Sequence, residues 1–311
     1  MVYPNQSLNP PSGLAPHWPI TIEEVTMKPI QANVWQLATA CLTFWIATCS
    51  TTVHSADLPP SASAVFQLAQ HGRRYTDVEK LHPQVIPTSD GQSFLVVWKP
   101  RDSEPSHWIF SLHGSKGFAT DDLAIWNAHL KNRNVGLVCL QWWNGKDDSA
   151  GSYLMPHQIY REVDIVLRKL AVKPGNVMLH GFSRGSANSY AVAALDAGRG
   201  RRYFSLIVAS SGGVAIDFPP TREIISGRFG DHPLRGTRWI TVAGARDQNP
   251  DRDGIPGMHR TARWLDEQGA EVIAIIEDSE NGHGALVLNP ANAERVIDLF
   301  LKANAPRAAR P

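Results

Sequence analysis

The stretch NVMLHGFSRGSANSY, residues 176–190, decides how the rest of the chain is read. On its left, Val177, Met178 and Leu179 make the short apolar run of a buried strand. On its right, Ser186, Ala187, Tyr190, Ala191, Ala194 and Leu195 recur at helical spacing. Gly181, Ser183 and Gly185 occupy the joint, so strand must pass into helix through a very tight turn. A serine at such a corner is either a helix N-cap, a common use of the residue, or a side chain held outward for chemistry.

Outward from this corner, strand-like and helix-like runs alternate. Gln92–Trp98 and Trp108–Leu112 are apolar runs joined by the turn-rich KPRDSEPS, and Val135–Trp142 is a third. Ile159, Val163, Val166, Leu167 and Leu170 mark a helix over Pro156–Ala171. Phe204–Ala209, Trp239–Ala243 and Glu271–Ile276 predict further strands, with helices over Met258–Gln268 and Ala291–Lys302. Strands apolar along their whole length, separated by helices, predict an α/β domain whose mostly parallel sheet is covered on both faces. One such domain fits residues 64–303, after a Pro/Ser/Ala linker at 57–63 and before a disordered tail at 304–311.

Composition narrows the function classes. The 311 residues carry 30 basic and 29 acidic side chains, for a net charge of +1, with no basic stripe for nucleic acid. Residues 27–56 have the layout of a secretory signal: Lys28, an apolar stretch from about Val34 to Ala47, then small polar residues. That stretch falls short of the roughly 20 residues that span a bilayer, so no stable membrane insertion is expected. Residues 1–26 read as an extension ahead of a natural start at Met27, and the exported product as periplasmic or secreted. Lipidation at Cys49 is disfavoured by Thr48. With Cys41 and Cys49 in the signal, Cys139 is left alone in an apolar run, so the mature domain has no internal disulfide.

Ligands of open α/β sheets bind beyond the carboxyl ends of the strands. Three of those ends carry, in chain order, Gly181-Phe182-Ser183-Arg184-Gly185, then Gly244-Ala245-Arg246-Asp247, then Asp278-Ser279-Glu280-Asn281-Gly282-His283-Gly284. Here the sequence resembles the α/β-hydrolase family, whose signature is the G-x-S-x-G elbow and the chain order Ser, Asp or Glu, His. The resemblance spans about residues 90–303 and implies the α/β-hydrolase fold with Ser183 as nucleophile, His283 as base and Asp247 as the acid that orients it. Gly181 and Gly185 would be the elbow glycines. The oxyanion donors would be the Arg184 N–H and an N–H of the loop His113-Gly114-Ser115-Lys116-Gly117, from Ser115 or alternatively Gly114. Asp251 and Asp253 compete with Asp247 for the acid, and His259 and His113 with His283 for the base.

Two other groups of residues qualify the reading. Trp142 and Trp143 follow a strand and are candidates for substrate binding, equally readable as core and rim. Asn249, Asp251, Asp253 and Gly254 imitate a calcium loop, but Arg260 stands where the bidentate Glu is required, so no metal is expected. About 28 residues separate Phe204–Ala209 from Trp239, rich in Gly and Pro, which leaves no room for a large apolar lid. Among family branches the chain is similar to small esterases, feruloyl esterases and polyhydroxybutyrate depolymerase-like proteins. The resemblance therefore implies a cofactor-free serine esterase acting on small short-acyl or aromatic esters. A serine peptidase or amidase, and a catalytically silent binding module, are the alternatives.

Overall fold

Residues 57–304, except 102, 199 and 200, are described by a computed structural model. Eight strands form one sheet in the order β1-β2-β4-β3-β5-β6-β7-β8. These are β1 (Gln84–Pro87), β2 (Phe94–Trp98), β3 (His107–Leu112), β4 (Val135–Leu140), β5 (Val177–Phe182), β6 (Phe204–Ser210), β7 (Arg238–Gly244) and β8 (Glu271–Asp278). β2 runs antiparallel to both β1 and β4, and all pairings from β4 through β8 are parallel. The central strands are apolar at successive positions because both of their faces are covered.

Strand alternation sorts the core into two layers. Phe110, Val138, Leu179 and Ile207 face α4 (Pro156–Lys169), α5 (Arg184–Gly198) and α7 (Ile255–Glu267). Ile109, Cys139, Met178 and Val208 face α1 (Pro60–Ala69), α3 (Ala119–Leu130) and α9 (Pro290–Ala303). His180, two residues beyond Met178, therefore points to the α3 side. Cys139 is a buried free thiol in this second layer.

The structure departs from the sequence reading in places. Residues expected as linker open α1 instead: Pro60 sits in its first turn and Ala62, Val65, Phe66 and Ala69 are buried against the sheet. Proline's fixed φ suits a helix start, so the Pro/Ser/Ala composition that reads as a linker also builds a helix once a core receives it. β1, α2 (Tyr75–Glu79) and α3 are absent from the sequence expectations. Between β6 and β7 lies one short helix, α6 (Pro219–Ile225), with Pro in its first turn. The expected extension at 1–26, signal at 27–56 and tail beyond 304 lie outside the described residues. Among the described residues, no helix is long and apolar enough to cross a membrane.

Candidate active site

The parallel register sets Phe182 beside Ser210, Ser210 beside Val242, and Gly244 beside Asp278. The loops that leave β5, β7 and β8 therefore emerge at one edge of the sheet. Ser183 turns the corner from β5 into α5 at φ 54°, a left-handed conformation that costs a non-glycine residue energy. Its N–H donates to Ser210 O at 2.9 Å, which ties the corner to β6. A Cβ on Gly181 would lie 2.5 Å from Gly185 O, and one on Gly185 would lie 2.2 Å from Leu112 O. Both glycines are thus required by close backbone approach, as the tight turn predicts. Gly212, which the sequence reading does not single out, is just as constrained: its Cβ would lie 2.0 Å from Ser183 O.

His283 Nε2 lies 2.9 Å from Ser183 Oγ, and His283 Nδ1 lies 2.9 Å from Asp247 Oδ2. With the carboxylate accepting from Nδ1–H, Nε2 is free of a proton and accepts from the serine hydroxyl. Asp247 is buried, and its Oδ1 accepts from Asn249 N–H at 2.8 Å, which fixes the carboxylate's orientation. Phe182 meets the His283 ring edge-on, with centroids 5.1 Å apart. Three side chains distant in sequence thus form one hydrogen-bonded line.

The competing acids and bases are exposed or held by other partners. Both Asp253 oxygens are held by Arg252, at 2.9 and 2.6 Å. Asp251 is exposed. Donor atoms of Asp247, Asp253 and His283 come within 4.8 Å of one another, the spacing of a metal site, but each is already engaged by Arg252, Ser183 or its neighbour in the line. His259 pairs with Glu277, Nε2 to Oε1 at 2.5 Å, away from Ser183. His113 is buried, which lowers its pKa to about 4. Its Nδ1–H donates to Gly114 O at 2.7 Å while Nε2 accepts from Trp142 N–H, so neither nitrogen is available as a base.

The loop after β3 packs directly on the serine. A Cβ on Gly114 would lie 3.3 Å from Ser183 Cβ, and Ser115 borders both cavities that flank Ser183. No backbone acceptor among the described residues takes the N–H of Arg184 or of Ser115. Trp142 and Trp143 are buried and line neither of those cavities. Trp142 instead donates its indole N–H to His113 O at 3.0 Å and so braces the loop from behind. Trp143 donates to Asp147 O at 2.8 Å. Aromatic residues after a strand look alike in sequence whether they line a pocket or support it.

The loop that carries His283 is anchored by a residue the sequence reading leaves aside. Burial raises the pKa of Asp278, but hydrogen bonds from the Asn289 side chain, from the N–H and side chain of Asn281 and from Glu280 N–H outweigh it and hold the carboxyl at about 2. The Asn292 side chain donates to the same carboxylate at 2.8 Å. The repeated Asn at 281, 289 and 292 was the available signal.

The cavities on the two sides of Ser183 differ. One, of about 340 Å³, is bordered by Arg184, Arg252, Asp148, Asp217 and Asp253. Arg184 stacks its guanidinium over Tyr153, 4.3 Å from the ring centroid, and reaches Asp148 at 3.5 Å. The other, of about 380 Å³, is bordered by His283, Phe118, Ile125, Trp126 and Phe182, with Asp122 and His180 in its wall. Burial raises Asp122 to about 7 and lowers His180 to about 3. Ser111 Oγ lies between them, 2.5 Å from Asp122 Oδ2 and 2.9 Å from His180 Nδ1.

No protein-family model matches the chain, and no curated protein matches it. Solved structures do share its fold. A hyperthermophilic esterase from the archaeon Pyrobaculum calidifontis superposes with a TM-score of 0.54 at 15% identity, covering 72% of this chain and 84% of the other. An esterase from the fungus Rhizomucor miehei gives 0.52 at 14% identity over 79% of this chain and 96% of the other. A Thermus thermophilus protein gives 0.52 at 17% identity over 72% and 99%. The chain has the α/β-hydrolase fold, as the serine corner and the order of the three loops imply.

Proposed function

We propose that the chain is a serine hydrolase that cleaves carboxylic esters with short-acyl or aromatic groups, using Ser183, His283 and Asp247. The observation that carries this reading is the unbroken line of hydrogen bonds from Asp247 through His283 to Ser183 on a strained corner. A neutral serine hydroxyl is a weak nucleophile, and the imidazole is placed to take its proton as the oxygen attacks the ester carbonyl. Asp247 holds the ring in the needed tautomer and stabilises the imidazolium. The Arg184 N–H, together with that of Ser115 or Gly114, receives the oxyanion, a contribution of roughly 2.7–4 kcal/mol per donor in comparable sites. His283 then protonates the leaving alcohol, and water, deprotonated by the same ring, releases the acid.

The esterase names of the two structural neighbours agree with this chemistry. Export through residues 27–56, giving a periplasmic or secreted enzyme, is part of the same proposal and is tested by N-terminal sequencing of the secreted product. The decisive experiment on activity is hydrolysis of p-nitrophenyl acetate by the wild type and by Ser183→Ala. A fall of about 10⁴–10⁶ in kcat is expected for the variant. Equal rates, or no labelling of the wild type by a fluorophosphonate, would refute the assignment.

A further inference from the structure

The loop after β3 closes in a four-residue turn, Gly114-Ser115-Lys116-Gly117, in which Gly117 N–H donates to Gly114 O at 3.1 Å. Its third residue, Lys116, has φ 52°, whereas Ser115 lies outside the left-handed region. A positive φ at the third position alone marks a type II turn, where glycine or asparagine is usual because other side chains are strained. Lysine favours the commoner type I turn, which reverses the Ser115–Lys116 peptide and points its N–H to the opposite face. One contact opposes that reversal: Lys116 N–H donates to the Tyr153 hydroxyl at 3.0 Å.

Tyr153 is built as a rigid post. Its backbone forms an antiparallel bridge with Trp143, and the buried ring packs against Trp142 with centroids 4.8 Å apart. The guanidinium of Arg184 lies over the same ring. The phenol donates its proton to Asp148 Oδ1, which leaves a lone pair of the oxygen for the Lys116 N–H. Burial, and then the bond to Asp148, raises the pKa of the phenol, so the hydroxyl stays protonated. The other end of the loop rests on the neighbouring ring, since Trp142 donates to His113 O. Adjacent rings thus carry the loop at both ends. From this geometry we infer that the Tyr153 hydroxyl is a positioning group for the oxyanion donors, holding the turn in the form that sets the Ser115 and Gly114 N–H groups beside Ser183. Gly114 already packs against Ser183, so a small relaxation of the turn is felt where the ester carbonyl reacts. This inference rests on the esterase reading for the use made of the turn but not for what holds it.

Tyr153→Phe removes the oxygen and keeps the ring with its packing, so the fold is retained. On p-nitrophenyl acetate its kcat should fall about 10- to 100-fold while KM stays within about threefold, because a donor displaced by about 1 Å costs on the order of 10² in rate. Affinity for 1,1,1-trifluoro-4-phenylbutan-2-one, whose oxygen becomes an alkoxide when Ser183 adds to its carbonyl, should fall by about the same factor as kcat/KM. Adding Lys116→Gly to Tyr153→Phe should restore kcat to within about fivefold of wild type, since glycine accepts the left-handed φ without strain. A general loss of packing around Tyr153 is not repaired by a change at 116. Crystal structures of the Ser183→Ala protein with and without Tyr153→Phe read the turn without turnover: φ at Lys116 should be positive with Tyr153 and negative with Phe. A Tyr153→Phe kcat within about twofold of wild type, undiminished affinity for the ketone, a loss that Lys116→Gly does not repair, or a positive Lys116 φ in both crystal structures overturns the inference. A wild type inert toward p-nitrophenyl acetate removes the esterase reading, whereas the crystal structures still decide whether Tyr153 holds the turn.

Discussion

The two sides of Ser183 place similar residue types under opposite conditions. On the α5 and α7 side, two arginines and three aspartates border the cavity, and several remain half exposed: Arg252 at 54% and Asp148 at 44% of the side chain. On the α3 side, Asp122 and His180 are buried, and burial pushes both toward their neutral forms. Water sustains the charges on the first side, and surface ion pairs there contribute little to stability. Behind α3 the same kinds of group become fixed donors and acceptors, and position matters more than charge. Exposure, more than residue type, separates a solvated rim from a fixed polar cluster.

The contrast has meaning only if chemistry occurs at the seam between the two sides, and the largest expected effect tests that. Asp247→Asn should lower kcat on p-nitrophenyl acetate by about 10⁴ with little change in fold, because the amide can donate to Nδ1 and favour the wrong tautomer. Retention of more than a tenth of wild-type activity would point to Asp253 as the working acid. Next in size is Asp278→Ala, which releases the loop bearing His283. A displacement of about 1 Å in the base costs on the order of 10² in rate, so kcat should fall while fluorophosphonate labelling slows in proportion. The Asp278 carboxyl, held near 2, contributes stability that is present above the ordinary carboxylate range and is lost as pH falls toward that value. Thermal melts of wild type and Asp278→Ala should accordingly converge in strong acid.

The buried side makes a prediction of opposite sign. Asp122 holds its proton in the folded state to about pH 7, whereas the unfolded chain releases it near 3.9. Its contribution is thus complete below the lower value and declines as pH rises through the window between them. Relative to wild type, Asp122→Asn should gain melting temperature steadily from pH 4 to pH 7. A difference independent of pH would mean that Asp122 is ionised throughout. The smallest effect belongs to the charged side: Arg184→Met keeps the backbone N–H and loses an ion pair with the half-exposed Asp148. Its kcat/KM on p-nitrophenyl acetate should stay within about threefold of wild type, and a larger loss would make that side a binding surface as well.

The serine corner was legible because its constraint is local. A tight passage from strand to helix requires small neighbours, and Gly181 and Gly185 meet Gly185 O and Leu112 O at distances no side chain allows. Asp247 could be selected over Asp251 and Asp253 because it lies nearest the strand end, and His283 because glycines on both sides mark an exposed loop. α3 was missed although Leu123, Trp126 and Leu130 follow helical spacing: buried Thr120 and Asp122 interrupt the usual polar and apolar faces. Trp142 and Trp143 were ambiguous because the same residues serve as pocket wall or as brace, and only the path of β4 into its loop decides.

By itself the sequence determined what depends on neighbours along the chain: the alternation of strands and helices, the serine at a strained turn, and the order of acid and histidine. Only the tertiary structure decided which carboxylate reaches His283 Nδ1, that Gly212 and Asp278 hold the corner and the loop, and that Asp122, Ser111, Trp126 and His180 meet behind the cavity. Those four residues come from β3, α3 and β5. Their proton positions and charges follow from burial and from each other, and neither quantity exists until the sheet and α3 have closed around them.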